Sequence, residues 1–265
     1  MAKILAVTNQ KGGVGKTTTV VNLSASLALL GKKVLLVDLD PQGNATTGSG
    51  LSKGDLTHTI YQVLLRAVSP ADAIHRSEVG RYDVLPANRS LAGAEVELVD
   101  ADEREYRLKA ALSTLYDIYD YVLIDCPPAL NLLTLNGLTA AHKLLIPMQC
   151  EYYALEGLTD LLQTVRRVRS HLNPDIAIEG LLRTMLDPRS SLAQQVSAEL
   201  ERHFSGKIYQ TAIPRNVRLA EAPSFGKPVM HYDASSKGAH AYLELGKELL
   251  TRFGDQVSRE TTGSI

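Results

Sequence analysis

The chain has 265 residues, a formal net charge of −1 and 22% charged residues, and 45% of its residues are hydrophobic. These values are ordinary for a soluble globular protein with a sizeable core, and they exclude a strongly basic protein, so any basic surface must be local. Cys126 and Cys150 stand far apart in apolar surroundings, which favours a reduced cytosolic protein over a disulfide framework.

No apolar stretch approaches the roughly 20 residues of a membrane-spanning helix. We also expect no N-terminal signal, because Lys3 precedes only a short apolar run. Both observations predict a cytoplasmic protein that does not enter a membrane.

The first predicted strand, residues 3–8, leads through a glycine-rich loop into a predicted helix over residues 17–30. In a phosphate-binding loop, glycines let backbone N–H groups point inward, and the helix N-terminus adds a partial positive charge. Lys16 can then reach the β- and γ-phosphates, and the Thr17 hydroxyl can coordinate Mg²⁺. The predicted nucleotide-binding residues of this loop are Lys11, Gly12, Gly13, Val14, Gly15, Lys16, Thr17 and Thr18.

The loop departs from the ordinary Walker A pattern at its start. That pattern would place a glycine at position 10, where this chain has Gln10, and a second lysine, Lys11, follows at once. Three glycines, Lys16 and Thr17 still fall in register between a strand and a helix. A chance glycine-rich turn is therefore a poor explanation of the segment.

The second predicted strand, residues 33–38, ends in Val37-Asp38-Leu39-Asp40-Pro41-Gln42-Gly43-Asn44. Ligands bind at the carboxyl ends of parallel strands, so Asp38 and Asp40 could each face the phosphates or a metal ion. Asp40 could also orient the attacking water. The alternative is a polar turn closed by Pro41 and Gly43.

The rest of the chain continues the alternation of apolar strands and helical patterns. Further strands are predicted at 82–85, 121–125, 143–147 and 178–184, with a weak one at 207–210. Further helices are predicted near 91–115, 131–141, 154–171, 189–204 and 239–253. This order indicates an α/β fold with a doubly wound, mainly parallel sheet flanked by helices. We predict one domain over residues 1–255 and a polar, frayed tail over 256–265.

The strand over residues 121–125 carries a second part of a nucleotide site. An apolar run that ends in an aspartate, here Asp125, is the Walker B pattern, in which the carboxylate holds Mg²⁺ directly or through water. The pattern is weak alone and strong beside a phosphate-binding loop. Cys126 is better explained as a small packed residue than as a metal ligand.

Charge is unevenly distributed along the chain. Six acids and one base lie between Glu95 and Glu105, which is typical of a solvated helix face. Residues 205–240 instead carry five bases against two acids, a net of +3. A basic segment of this size is usually plain surface, but a dimer would double it into a patch for phosphate backbones.

Taken together, these segments closely resemble the ParA/Soj family of chromosome- and plasmid-partitioning ATPases, which belong to the deviant Walker A superfamily of P-loop NTPases. The resemblance runs nearly end to end and is most specific at residues 149–158, QCEYYALEGL, and 213–224, IPRNVRLAEAPS. Only three residues precede Ile4, so we expect the short, Soj-like type without an N-terminal helix-turn-helix domain. Leu186 departs from the family, in which an aromatic residue is common there.

The resemblance implies an ATP-driven dimer switch. Lys11 would cross the interface to the partner's nucleotide, and Lys16 and Thr17 would hold the phosphates and Mg²⁺ in their own subunit. Asp40 would position the water and lie near the metal, and Asp125 would support the metal. The implied cofactors are ATP and Mg²⁺, and Lys11, Lys16 and Asp40 are the implied catalytic residues.

The resemblance also implies the remaining contacts and partners. Met185, Pro214 and Asn216 match positions that enclose adenine in relatives, and Arg189 and Arg218 match arginines that contact DNA without sequence preference. The implied partners are a second copy of the chain, non-specific DNA and a ParB-like centromere-binding protein that stimulates slow hydrolysis. A nucleoid-associated location in the cytoplasm follows from these partners.

Two other functions use the same kind of loop. A MinD-like membrane switch would need a basic amphipathic helix at the C-terminus, whereas residues 243–250 read as a core-packed helix followed by a polar end. The second alternative is a metabolic enzyme, either an iron–sulfur reductase, which would need cysteines placed to bridge two subunits, or an amide-forming ligase. The sequence favours the partitioning ATPase.

Overall fold

The computed structural model describes residues 1–256, and these contain one seven-stranded sheet with helices on both faces. The strands are β1 (Lys3–Val7), β2 (Val34–Asp38), β3 (His75–Ser77), β4 (Tyr82–Leu85), β5 (Tyr121–Asp125), β6 (Lys143–Gln149) and β7 (Ala177–Thr184). The helices of the first half are α1 (Lys16–Leu29), α2 (Asn44–Gly48), α3 (Ile60–Leu64), α4 (Pro70–Ala73), α5 (Leu91–Glu97) and α6 (Arg107–Ser113). Those of the second half are α7 (Leu132–Ala140), α8 (Ala154–His171), α9 (Ser191–His203), α10 (Val217–Glu221), α11 (Val229–Tyr232) and α12 (Lys237–Arg252). Short 3-10 helices cover Arg104–Tyr106 and Ala222–Phe225.

The strand order is β3-β4-β2-β5-β1-β6-β7, and every neighbouring pair is parallel except β3 with β4. The predicted doubly wound, mainly parallel sheet is therefore confirmed. The register pairs Val7 and Asp38 with Asp125, so β1, β2 and β5 end at the same level. The loops that follow these three strands must then meet at one edge of the sheet.

Two cores cover the two faces of the sheet, and alternate residues of each central strand enter different cores. In β1, Ile4 and Ala6 pack in one core, whereas Leu5 and Val7 pack in the other. This division follows from the two-residue period of a strand, and it explains the continuous apolar runs, since both faces are buried. As predicted, α12 packs in the second core through residues that include Tyr242 and Leu249.

Two of the predicted elements differ in the structure. The helix expected over 91–115 is broken between Glu97 and Arg104, where the backbone of Glu103 is left-handed (φ 54°). Crowded acids in this stretch repel one another, and Asp favours turns over helix interiors. The weak strand at 207–210 is reduced to a single bridge between Leu181 and Ile208.

The short antiparallel strand β3 carried no apolar run that could reveal it, because its residues are His75, Arg76 and Ser77. The single domain over 1–255 stays a prediction. The predicted polar tail, 256–265, lies outside the described residues apart from its first residue.

Candidate nucleotide site

The glycine-rich loop lies between β1 and α1, as predicted. Gly13 (φ 74°) and Gly15 (φ 87°) both adopt the left-handed conformation that side chains disfavour, and α1 begins at the next residue, Lys16. Asn9 holds the start of the loop. Its amide donates to the Pro147 carbonyl (2.8 Å), and its side-chain oxygen accepts the Lys11 N–H (3.0 Å). Asn9 therefore fixes the start of the loop, and α1 begins directly at its end.

The two lysines of the loop have different surroundings. Lys16 is buried, and its ammonium donates to the Lys11 carbonyl (3.0 Å). Burial lowers the pKa of Lys16, and the carboxylates of Asp125 and Asp40 oppose that effect. The Lys11 ammonium instead lies 2.6 Å from the Glu151 carboxylate, and both side chains are about half exposed. Lys16 thus faces the interior of the loop, whereas Lys11 lies at the surface.

Asp125 ends β5 beneath the loop, and both of its carboxylate oxygens are buried without a hydrogen-bond partner. Burial and the neighbouring charge of Asp38 raise the pKa of Asp125 well above its usual range, and the nearby Thr17 hydroxyl and Lys16 ammonium oppose this only in part. An unsatisfied buried carboxylate is costly, and a bound cation would remove that cost.

The oxygen atoms of Asp125 and Thr17 suit Mg²⁺, which prefers oxygen ligands and usually keeps water and substrate phosphates as its other ligands. Residues 1–256 contain no cluster of three or more His, Cys, Asp or Glu side chains that could hold a metal ion. The residues present therefore fit a metal ion that arrives with a nucleotide.

The two aspartates after β2 do different things. Asp38 is fully buried and accepts hydrogen bonds from the Thr46 hydroxyl (2.7 Å) and the Thr46 N–H (2.8 Å), so it fixes the first turn of α2. Burial raises the pKa of Asp38 to about 6. Asp40 is partly exposed and accepts the Gln42 N–H (2.9 Å). Of the two aspartates, Asp40 is the one whose charge raises the pKa of Lys16.

A cavity of about 390 Å³ opens beside the loop, which is within the usual size of a small-molecule site. Met185, Pro214 and Asn216, the three residues predicted to enclose adenine, all line it, together with Gly15 and Thr18 of the loop. The structure therefore brings the base-binding candidates against the phosphate-binding loop. Sequence reasoning missed Tyr242 and Leu219, which also line the cavity, since nothing local marks them.

The two arginines predicted to contact DNA lie at the surface, and both are ion-paired within the chain. Arg189 binds Asp187 (2.9 Å), and Arg218 binds Glu221 (2.8 Å) and Asp233 (3.1 Å). Exposed pairs of this kind are weak, typically about 0–1 kcal/mol, so a phosphate can displace the carboxylate. The structure brings neither arginine into the nucleotide cavity.

The cysteines and the helices can be compared with the two alternative functions, an iron–sulfur enzyme and a membrane switch. Cys126 and Cys150 are free and buried, and burial raises the pKa of both thiols. A buried thiol at Cys126 does not reach a surface that two subunits could share. Among the helices of residues 1–256, none combines the length and the apolar composition needed to cross a membrane.

Comparisons with known proteins agree with this geometry. A family profile described as an AAA domain matches residues 2–178. The sporulation initiation inhibitor protein Soj of Bacillus subtilis is 57% identical over 94% of this chain and 98% of its own length. The chromosome partitioning protein ParA of Myxococcus xanthus is 52% identical over 95% of this chain and 89% of its own length.

A similar solved structure is cobyrinic acid a,c-diamide synthase from Mycobacterium smegmatis with bound ADP and magnesium. It is 41% identical, covers 96% of both chains and superposes with a TM-score of 0.84. Its name describes an amide-forming enzyme, whereas the Soj and ParA relatives are more similar to this chain in sequence.

Proposed function

Because the chain belongs to the ParA/Soj family of chromosome-partitioning ATPases and hydrolyses ATP with Mg²⁺ as cofactor, we propose that ATP binding converts it into a homodimer that binds DNA without sequence preference. A ParB-like centromere-binding protein then stimulates slow hydrolysis, which releases the chain from DNA. Cycles of binding and release on the nucleoid move a chromosome or plasmid.

The observation that carries the dimer is the position of Lys11. Its ammonium lies at the surface against Glu151, whereas Lys16 supplies the positive charge inside the same loop. A second lysine directed outward is of little use to its own nucleotide. In a face-to-face dimer, it adds positive charge to the partner's phosphates, where phosphoryl transfer develops negative charge.

The other residues act within one subunit. Lys16 and the N–H groups of residues 12–18 hold the phosphates, and Asp40 orients the attacking water from the turn after β2. The Thr17 hydroxyl, Asp125 and Asp40 would hold Mg²⁺, which would supply positive charge to neutralise the phosphates. Met185, Pro214 and Asn216 enclose the adenine in the cavity that they line.

DNA binding depends on charge that a monomer of net −1 does not have overall. Arg218 already pairs with both acids of the basic segment 205–240, which leaves the segment's other four bases without an ion pair among the described residues. Dimerisation doubles this positive surface together with Arg189. Contacts with phosphates carry no sequence information, so binding is non-specific.

One experiment tests the switch directly. Light scattering should give a dimer with ATP and Mg²⁺ and a monomer with ADP or without nucleotide, and only the ATP form should be retained on unrelated DNA sequences. The Lys11→Ala protein should bind ATP through Lys16 yet stay monomeric, whereas Lys33→Ala, which removes an exposed lysine outside the site, should behave as the parent.

Several outcomes would contradict the proposal. If ATP-dependent dimers formed without Lys11, the lysine would not act across an interface. If ATP left DNA retention unchanged while an ATP-dependent amide product formed, the amide-forming alternative would replace the switch. ATP-dependent binding to anionic vesicles in place of DNA would favour a membrane switch.

A further inference from the structure

A side chain outside the glycine-rich loop holds the middle of that loop. The hydroxyl of Thr184, the last residue of β7, donates to the carbonyl of Val14 at 2.8 Å, and both residues are almost fully buried. Val14 lies between Gly13 and Gly15, the two left-handed glycines. The hydrogen bond therefore holds the loop between its two left-handed backbone positions.

The end of β7 is bent so that two consecutive side chains face the loop. In a regular strand, Thr184 and Met185 would point to opposite faces. Met185 is left-handed (φ 50°), which non-glycine residues adopt rarely. As a result, a Cβ atom placed on Gly15 would lie 3.7 Å from Thr184 Cγ2 and 4.0 Å from Met185 Cε. Strain of this kind persists only where the surroundings hold it, and it is concentrated at functional sites.

The geometry of one peptide bond gives the contact a consequence for ligand binding. In a planar trans peptide, the carbonyl of Val14 and the N–H of Gly15 point in opposite directions. Because Thr184 draws that carbonyl toward β7, the Gly15 N–H is directed away from β7. Without the hydroxyl, this peptide unit loses the partner that sets its orientation.

We propose that Thr184 is a positioning residue for ATP: its hydroxyl fixes the Val14–Gly15 peptide so that the Gly15 N–H is ready to donate to a nucleotide phosphate. Met185, the next residue, lines the base cavity together with Gly15 and Thr184, so the same strand end borders both the loop and the base cavity. Phosphate binding then depends on a residue 170 positions from the loop that it organises.

The test compares four variants by calorimetric titration with ATP and ADP in Mg²⁺. Thr184→Val removes the hydroxyl at nearly constant volume, Thr184→Ser keeps it, and Thr184→Cys keeps the size with a weak donor. Thr139→Val is the control, because Thr139 is equally buried and its hydroxyl has no hydrogen-bond partner within the described residues. The melting temperature without nucleotide is recorded for each.

We expect Thr184→Val to bind ATP and ADP roughly tenfold more weakly, because the nucleotide must then order the Val14–Gly15 peptide without the help of this hydrogen bond. Thr184→Ser and Thr139→Val should stay within about twofold of the parent, and Thr184→Cys should be weakened like Thr184→Val. In Thr184→Val, the affinity for AMP, measured by competition, should fall less than the affinity for ADP. The reason is that the loop cradles the α- and β-phosphates, and AMP lacks the β-phosphate.

Three results would overturn the assignment. Parent-like ATP affinity in Thr184→Val, or in Thr184→Cys if the valine protein does not fold, would show that the hydroxyl does not position the loop. Equal weakening in Thr184→Ser would show that shape matters and the hydrogen bond does not. An equal loss for AMP and ADP would indicate a general packing defect.

Discussion

The Lys11 ammonium and the Glu151 carboxylate form an ion pair 2.6 Å long, although 140 residues separate them in the chain. Glu151 follows β6 directly, and Lys11 opens the loop that follows β1. The pair holds the lysine beside its own subunit. Under the proposed function, Lys11 must leave Glu151 before it can reach a partner's nucleotide.

Removing the carboxylate should therefore make dimerisation easier. An exposed pair of this kind contributes up to about 1 kcal/mol, so Glu151→Gln should strengthen the ATP-dependent dimer by roughly two- to fivefold for each subunit. Sedimentation equilibrium with a slowly hydrolysed ATP analogue measures the change. Glu156→Gln, an exposed substitution in the first turn of α8, is the matched control and should have no effect. A weaker dimer in Glu151→Gln would mean that Glu151 also contributes to the interface.

Asp40→Ala should separate binding from hydrolysis. A residue that orients water matters mainly in the transition state, so we expect the variant to bind ATP normally and to lose most of its turnover. It should accumulate as a DNA-bound dimer. Single-turnover hydrolysis measures the loss, and Asp55→Ala, in the exposed loop after α2, serves as the control. Unchanged turnover in Asp40→Ala would mean that another group orients the attacking water.

The arginine pair should control the salt dependence of DNA binding. Each phosphate contact contributes roughly one unit to the slope of log affinity against log salt. Arg189→Ala and Arg218→Ala should each flatten that slope by about one contact per subunit and weaken binding equally on unrelated sequences, while ATP-dependent dimerisation survives.

Arg202→Ala is the control for this measurement, because Arg202 is also exposed and also paired with a glutamate, Glu199. If the double Arg189/Arg218 variant kept full ATP-dependent affinity at physiological salt, the contact surface would lie elsewhere. The cluster Arg166, Arg167 and Arg169 on α8 would be the next to replace.

The buried carboxylates predict that the free energy of unfolding depends on pH when nucleotide and metal are absent. Asp38 and Asp125 have pKa values raised by burial, so the folded state binds more protons than the unfolded state above about pH 4. The free energy of unfolding should then fall as pH rises through the folded pKa of about 6 for Asp38, and the raised pKa of Asp125 should add to the fall. Chemical unfolding in EDTA between pH 5 and pH 8 tests this.

The same charges predict that Asp125→Asn stabilises the free protein at pH 8 and abolishes hydrolysis. Because burial raises the pKa of Asp125, ionising this carboxyl at pH 8 costs more free energy in the folded state than in the unfolded state, and the amide removes that cost. Asp187→Asn should bring no gain, because the Arg189 guanidinium lowers the pKa of Asp187 to about 2. If Asp125→Asn were only as stable as the parent at pH 8, the buried Asp125 carboxylate would not destabilise the folded protein.

The sequence by itself determined the fold class and the phosphate-binding loop. Both depend on local chemistry: continuous apolar runs need two covered faces, and left-handed positions such as Gly13 and Gly15 need glycine. The parallel order of the strands then required Asp40 and Asp125 to lie at the same edge as the loop. Met185, Pro214 and Asn216 were predicted to contact adenine through family resemblance, and they line one cavity.

Only the tertiary structure decided which partners the polar side chains find. In it, Asp38 accepts a hydrogen bond from Thr46, Lys11 pairs with Glu151, and the Val14 carbonyl accepts a hydrogen bond from Thr184. These contacts join residues that lie 8, 140 and 170 positions apart. No local pattern encodes them, because a buried polar group is satisfied by whichever donor or acceptor the packing of distant elements brings within reach.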